Sequence, residues 1–158
     1  MKKSLLIGIG NSGRQDDGLG WAFVEQVEQE ACFQGDCLYR FQLNIEDAEL
    51  LSQYDQVFFA DAFAGELPGG FALTPCHPQP DTAFSTHLLS PACTLYLCRQ
   101  LYAQAPQAWL LTMQGYRWEL KEGLSAKAQA NLEKALKYFR TSCRESGELA
   151  SFSSSQQS

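Results

Sequence analysis

The chain has 158 residues, 45% hydrophobic and 19% charged, enough for one domain built round a single sizeable core. Its formal charge of −6 and scattered Lys and Arg leave no basic stripe, which argues against nucleic acid as a partner. The N-terminal run SLLIGIG is too brief and glycine-broken for a signal peptide, and no stretch approaches the roughly 20 apolar residues of a membrane span, so a cytoplasmic protein without a membrane partner is expected.

Leu5–Ile9 reads as a fully buried strand. From about Asp17 to Glu30 the apolar residues Leu19, Phe23, Val24 and Val27 form a helical stripe. Cys37–Leu43 is predicted as a second strand, and Ile45–Gln53 as a short helix capped by Asn44. Val57–Ala60 is a near-continuous apolar strand of the kind found at a sheet centre, and GELPGG then turns the chain into Phe71–Thr74. Ser90-Pro91 starts a helix, with Ser as cap and Pro at the first helical position. Ala108–Met113 is the last strand, and Ser125 caps a final helix with Ala128, Leu132, Leu136 and Phe139 facing inward.

Strands alternating with helices imply a mostly parallel sheet covered on both faces, a three-layer α/β/α sandwich. The GELPGG connection is too short for a helical crossover, so one strand is expected to run antiparallel. Residues 1–142 are read as one domain and 143–158, ending SFSSSQQS, as a low-complexity tail expected to be disordered. The six cysteines contain no CxxC pair and are expected to be free thiols that mostly fill core space.

Gly8-Ile9-Gly10-Asn11-Ser12-Gly13 matches a dinucleotide-binding G-x-G-x-x-G after a strand. Two features oppose that reading. Arg14 to Gly18 intervene before the helix, placing two carboxylates where a diphosphate would sit, and the second strand ends FQLN without an acid for a ribose. A cation site fits better: the glycines let the loop turn sharply, Asn11 can tie it, Asp16 caps the helix and Asp17 points into the cleft.

Two further strand exits carry metal-capable groups. Asp61 follows the apolar VFFA, where a buried acid needs a partner, although a cap or loop anchor would also explain it. His87 precedes the Pro91 helix, and alone would read as a solvated loop histidine. In an open α/β sheet, ligands gather beyond the carboxyl ends of the strands. No G-x-S-x-G, Ser-His-Asp spacing or Cys with a local base offers a nucleophile, and His77 beside Cys76 reads as a loop residue.

Taken together, G-I-G-N-x4-D-D-G-L-G, an apolar strand ending A-D-A about 40 residues on, and S-T-H some 25 further resemble the hydrogenase maturation proteases. The resemblance runs from about Lys3 to Phe139 and includes Gly123–Ser125 before the last helix. It implies a twisted five-stranded sheet within the α/β/α sandwich. It also implies an endopeptidase that removes a C-terminal extension from the precursor of a nickel-iron hydrogenase large subunit. The family's metal-contacting residues carry over to Asp17, Asp61 and His87; for the hydrolysis two routes stay open, nickel polarising the scissile carbonyl or a bound water, or Asp17 or Asp61 serving as general base for that water. Nickel is then presented by the precursor, held there by thiolates, rather than kept as a cofactor. One imidazole and two carboxylates suit a reader of nickel, since they complete its coordination without outcompeting thiolates. The protease is expected to act as a monomer. Asp17 stands where some members have Glu, and GELPGG and CHPQP match no particular subgroup. Two rivals remain: a nucleotide-binding Rossmann-like enzyme using the GIGNSG loop, and a non-enzymatic nickel chaperone using the same ligands.

Overall fold

The apolar runs of the chain pair into one sheet. A computed structural model describes residues 2–81 and 89–146, the side chains of 144–146 excepted. Five strands, β1 (Ser4–Ile9), β2 (Asp36–Arg40), β3 (Gln56–Phe63), β4 (Phe71–Pro75) and β5 (Gln107–Gln114), lie in the order β2-β1-β3-β5-β4. β1 pairs in parallel with β2 and β3, and β3 in parallel with β5. β4 is antiparallel to β5, as the short GELPGG connection foresaw, and forms an outer edge ended by Pro75.

Helices α1 (Leu19–Glu30), α2 (Ile45–Leu51), α3 (Pro91–Tyr102) and α4 (Ala126–Ser146) divide between the two faces. α1 and α4 bury Phe23, Val27, Leu132 and Phe139 against Leu6, Phe58 and Trp109. Phe139 meets Phe23 and Phe58 edge-on, with centroids 5.2 and 5.0 Å apart. α2 and α3 bury Leu51, Leu95 and Cys98 against Leu5, Ile7 and Phe59. The result is the expected three-layer α/β/α sandwich.

Two caps are legible in the chain. Asn44 accepts from the Glu46 amide at 3.1 Å while the Asp47 carboxylate accepts from the Asn44 amide at 3.0 Å, a capping box on α2. Ser90 Oγ accepts from the Cys93 amide at 3.0 Å ahead of Pro91.

Several boundaries differ from expectation, α2 among them, which stops at Leu51 rather than Gln53. β2 stops at Arg40 rather than Leu43; the Arg40 carbonyl accepts from the Gly10 amide and the Trp21 ring N–H, each at 2.9 Å. Leu43 instead pairs with Leu89 as an isolated antiparallel bridge. The first helix begins at Leu19 rather than Asp17, since Ser12–Gly18 forms a 3-10 segment broken at Arg14 and Gln15. β3 runs through Asp61 to Phe63 instead of ending at Ala60. Its pairing with β1 ends at Gly8↔Ala60, while its pairing with β5 continues through Asp61↔Thr112 to Phe63↔Gln114. Past Ala60 the β1 side of the strand is therefore left open. Of the tail expected at 143–158, residues 143–146 belong instead to α4, and the rest lies outside the described residues.

Candidate active site

The chain leaves β1 for β2 on one side and later returns to β3 on the other, so the strand order reverses between β1 and β3. A crevice opens at such a switch point, beyond the carboxyl ends of the two strands. Asp17 sits in the turn after β1, and Asp61 lies in the β3 extension that β1 does not cover.

Close packing sets this corner. A Cβ on Gly20 would stand 2.4 Å from the Ala60 carbonyl oxygen and 2.5 Å from that of Ile9, so only glycine lets α1 sit this near the sheet. Gly10, at φ 138°, has the Asp17 carbonyl oxygen 2.0 Å from where a Cβ would be. The Asn11 amide donates to that same carbonyl at 3.1 Å, and the Asn11 side chain accepts from the Gly13 amide at 2.8 Å. Within the G-x-G-x-x-G match, Gly8, where a Cβ would lie 2.6 Å from the Gly20 carbonyl oxygen, serves helix packing, and Gly10 serves the folded turn. With Asp16 and Asp17 just ahead of the α1 N-terminus, the nucleotide reading is disfavoured.

Asp17 and Asp61 are both partly buried and differ in surroundings. Burial raises the Asp17 carboxyl, while the Arg14 charge and the Asn11 amide pull it back. Burial also pushes Asp61 up to about 7; the Ala62 amide, 2.8 Å away, opposes the rise and the negative charge of Asp17 adds to it. The two carboxylates are thus near enough to sense each other across the β1/β3 crevice. Together they can exchange a proton near neutrality and offer hard oxygen ligands to a metal. Among the described residues no group of three His, Cys, Asp or Glu is placed to hold a metal ion. His87, the third expected ligand, lies outside the described residues.

Asp16 does not cap the helix. Gly18 is the N-cap of α1 and makes no side-chain cap bond. Asp16 is instead fully buried and reaches across to the β5–α4 connection. It accepts from the amides of Tyr116 (2.7 Å), Arg117 (3.0 Å) and Ser125 (2.7 Å) and from the Ser125 hydroxyl (2.8 Å). Burial alone would raise its pKa, but the bonds from Ser125, Tyr116 and Arg117 outweigh it and hold the group below the usual carboxylate value. Ser125 Oγ also accepts from the Ala128 amide at 3.3 Å, so the cap foreseen for α4 is shared with Asp16. Gln15, at φ 50°, adds a bond from the Glu119 amide to its side chain at 3.2 Å and one from its own amide to the Lys121 carbonyl at 2.9 Å. No local pattern marks this clamp, because its two sides are about a hundred residues apart.

All six cysteines are free, as expected. Burial pushes Cys76 up to about 11, which disfavours its thiolate near neutral pH. Among the described residues no helix is long and apolar enough to cross a membrane.

No family model matches the chain, and no curated protein matches it in sequence. Solved structures do. The hydrogenase maturating endopeptidase HybD from E. coli aligns with a TM-score of 0.67 at 22% identity, over 92% of this chain and 94% of that one. A [NiFe] hydrogenase maturation protease HycI from Thermococcus kodakarensis aligns with a TM-score of 0.67 at 20% identity, over 89% of this chain and 91% of its own. A hydrogenase 2 maturation peptidase from a Thaumarchaeota archaeon gives 0.63 at 17% identity, over 87% and 95%. Nearly the whole length is shared, at low identity: the chain has the fold of the hydrogenase maturation endopeptidases.

Proposed function

We propose that the protein is a hydrogenase maturation endopeptidase that trims a C-terminal extension from the nickel-loaded precursor of a nickel-iron hydrogenase large subunit. The observation that carries this reading is the acid pair, Asp17 and Asp61, at the β1/β3 switch point of a fold shared with such endopeptidases. Asp17, Asp61 and His87 are the proposed contacts to nickel, which arrives as part of the substrate.

In the proposed reaction a water oxygen attacks the scissile carbonyl carbon. Its proton passes to a carboxylate of the pair and then to the departing amide nitrogen, leaving a new carboxylate and a new amine. Asp61 suits this proton transfer because burial already balances its two protonation states near neutrality. Burial raises Asp17 as well, while the Arg14 charge and the Asn11 amide work towards its anion. Substrate-borne nickel supplies positive charge to polarise the carbonyl. A cytoplasmic setting and action as a monomer belong to the same proposal.

The test is mass spectrometry of a nickel-loaded large-subunit precursor before and after incubation with the protein. A mass loss equal to the C-terminal extension is expected, with no cleavage of the nickel-free precursor. An unchanged nickel-loaded precursor would refute the proposal, and a nickel chaperone would give that result.

A further inference from the structure

β3 reaches further than the strand that flanks it. Its pairing with β1 ends at Gly8↔Ala60, while its pairing with β5 runs on to Phe63↔Gln114. In a parallel pair, the amide and carbonyl of one residue point to one neighbouring strand and those of the next residue to the other. The Phe63 carbonyl accepts from the Gly115 amide at 2.9 Å, so Asp61 and Phe63 bond towards β5 and Ala62 faces the uncovered side.

β1 does not continue into that side. After Ile9 the Gly10 amide turns to the Arg40 carbonyl at 2.9 Å, and the Asn11 amide to the Asp17 carbonyl at 3.1 Å. Among the described residues, the Ala62 amide meets only the carboxylate of its own neighbour, Asp61 Oδ1 at 2.8 Å, and the Ala62 carbonyl accepts no bond. Ala62 is half-buried, and Phe63, on the same face of the strand as Asp61, is 41% exposed. A segment pairing with this edge would lie about 4.8 Å from β3, in the line β1 would follow if it ran straight on. Asp17 borders that line: a Cβ on Gly10 would stand 3.7 Å from Asp17 Oδ1.

We infer that the Ala62 edge of β3 is a main-chain binding site, to which the precursor adds an extended segment flanking its scissile bond as a short strand. The occupant follows from the groups on offer. A main-chain donor and acceptor on a strand edge are complemented by another backbone, and the chain that must pass between Asp61 and Asp17 is the one to be cut. The Ala62 carbonyl accepts from a substrate amide, and the Ala62 amide passes from Asp61 to a substrate carbonyl. Asp61 Oδ1 is thereby released towards the reacting groups, and the Phe63 ring lies against a side chain of the added strand. This inference rests on the endopeptidase reading and extends it to how the precursor is held.

The experiment alters the substrate backbone and leaves the enzyme intact. A precursor whose C-terminal stretch is supplied by peptide ligation, then loaded with nickel, is N-methylated at one residue at a time on either side of the cut, the scissile nitrogen excepted. Methylation at one position is expected to raise KM about five- to tenfold, the loss of one main-chain hydrogen bond. Its immediate neighbours, whose amides face away in a strand, should change KM by less than about twofold. Ala62→Pro deletes the amide on the open edge and spares the β5 ladder, so it should raise KM for the unmodified precursor by a similar factor, with urea unfolding as the check on folding. A flat scan, in which no position matters or all matter equally, refutes strand addition, as does an unchanged KM for folded Ala62→Pro; cleavage of the unmodified precursor then leaves the endopeptidase reading standing. If the unmodified precursor is not cut, the endopeptidase reading fails and this inference falls with it.

Discussion

Asp16→Ala should be among the most destabilising single substitutions in this protein. The change removes one buried carboxylate and strands four donors, the amides of Tyr116, Arg117 and Ser125 and the Ser125 hydroxyl, all bonded within 3.0 Å. A hydrogen bond to a charged group contributes about 1.5–3 kcal/mol. Part of that is returned because the mutant no longer desolvates a charge, leaving a net loss of about 3–5 kcal/mol, as for other broken buried charge networks. Set against a total stability of about 5–15 kcal/mol, this lowers Tm by roughly 10 °C. Urea unfolding followed by far-UV circular dichroism reads the effect as a lower midpoint at an unchanged slope. Asp17→Asn is the internal control: burial disfavours that charge, so the loss there should stay under about 0.5 kcal/mol. The pH dependence gives a second check. The native pKa of Asp16 is lowered, so its contribution is full above the unfolded value of 3.8 and is lost as pH falls through the lower native value. The gap between wild type and Asp16→Ala should therefore hold from neutral pH downward and close only below about 4. A loss under about 1 kcal/mol, or equal losses at positions 16 and 17, would show that the clamp is not what holds the loop.

Asp17→Asn, Asp61→Asn and His87→Ala should each lower the rate of precursor trimming by about a hundredfold or more, read by mass spectrometry; normal trimming by any two of them ends the site assignment. Asp61, raised to about 7, loses stability as pH climbs from its unfolded value of 3.8 through the native one, so Asp61→Asn should be the more stable protein at pH 8 and lose that advantage towards pH 4. The full shift corresponds to about 4 kcal/mol, which partial solvent access reduces to about 2, and parallel urea curves for the two proteins at both ends of the range would expose a wrong sign. Gly20→Ala would set a methyl 2.4 Å from the Ala60 carbonyl oxygen; the overpacking, about 1–3 kcal/mol, should outweigh the better helix propensity and appear as a reduced unfolding midpoint.

The strands were readable because buried runs such as LLIGI and VFFA are uniformly apolar, and the caps at Asn44 and Ser90 because their partners lie within three residues. Local pattern failed where the cause was distant. Asp16 reads as a helix cap from its neighbours, yet its partners lie 100 to 109 residues on. The end of β3 was placed short because A-D-A-F has no clear alternation, and its last pairs depend on β5, which follows about fifty residues later. Asp17 and Asp61 stood out as acids at strand exits, and the crevice between β1 and β3 brings them together. Arg14 drew no notice in sequence beyond separating the glycines from the helix, since its effect on Asp17 comes from a broken 3-10 turn that spacing does not reveal.

The separation between Asp16 and Ser125 also bears on how the molecule is made. During synthesis both acids of the crevice leave the ribosome well before Ser125, so a growing chain has the pair but not the clasp beside it. Contacts this far apart in sequence form late, once intervening strands and helices have docked. A nascent or clipped chain ending ahead of that serine would lack both Ser125 donors and leave Asp16 with the Tyr116 and Arg117 amides alone.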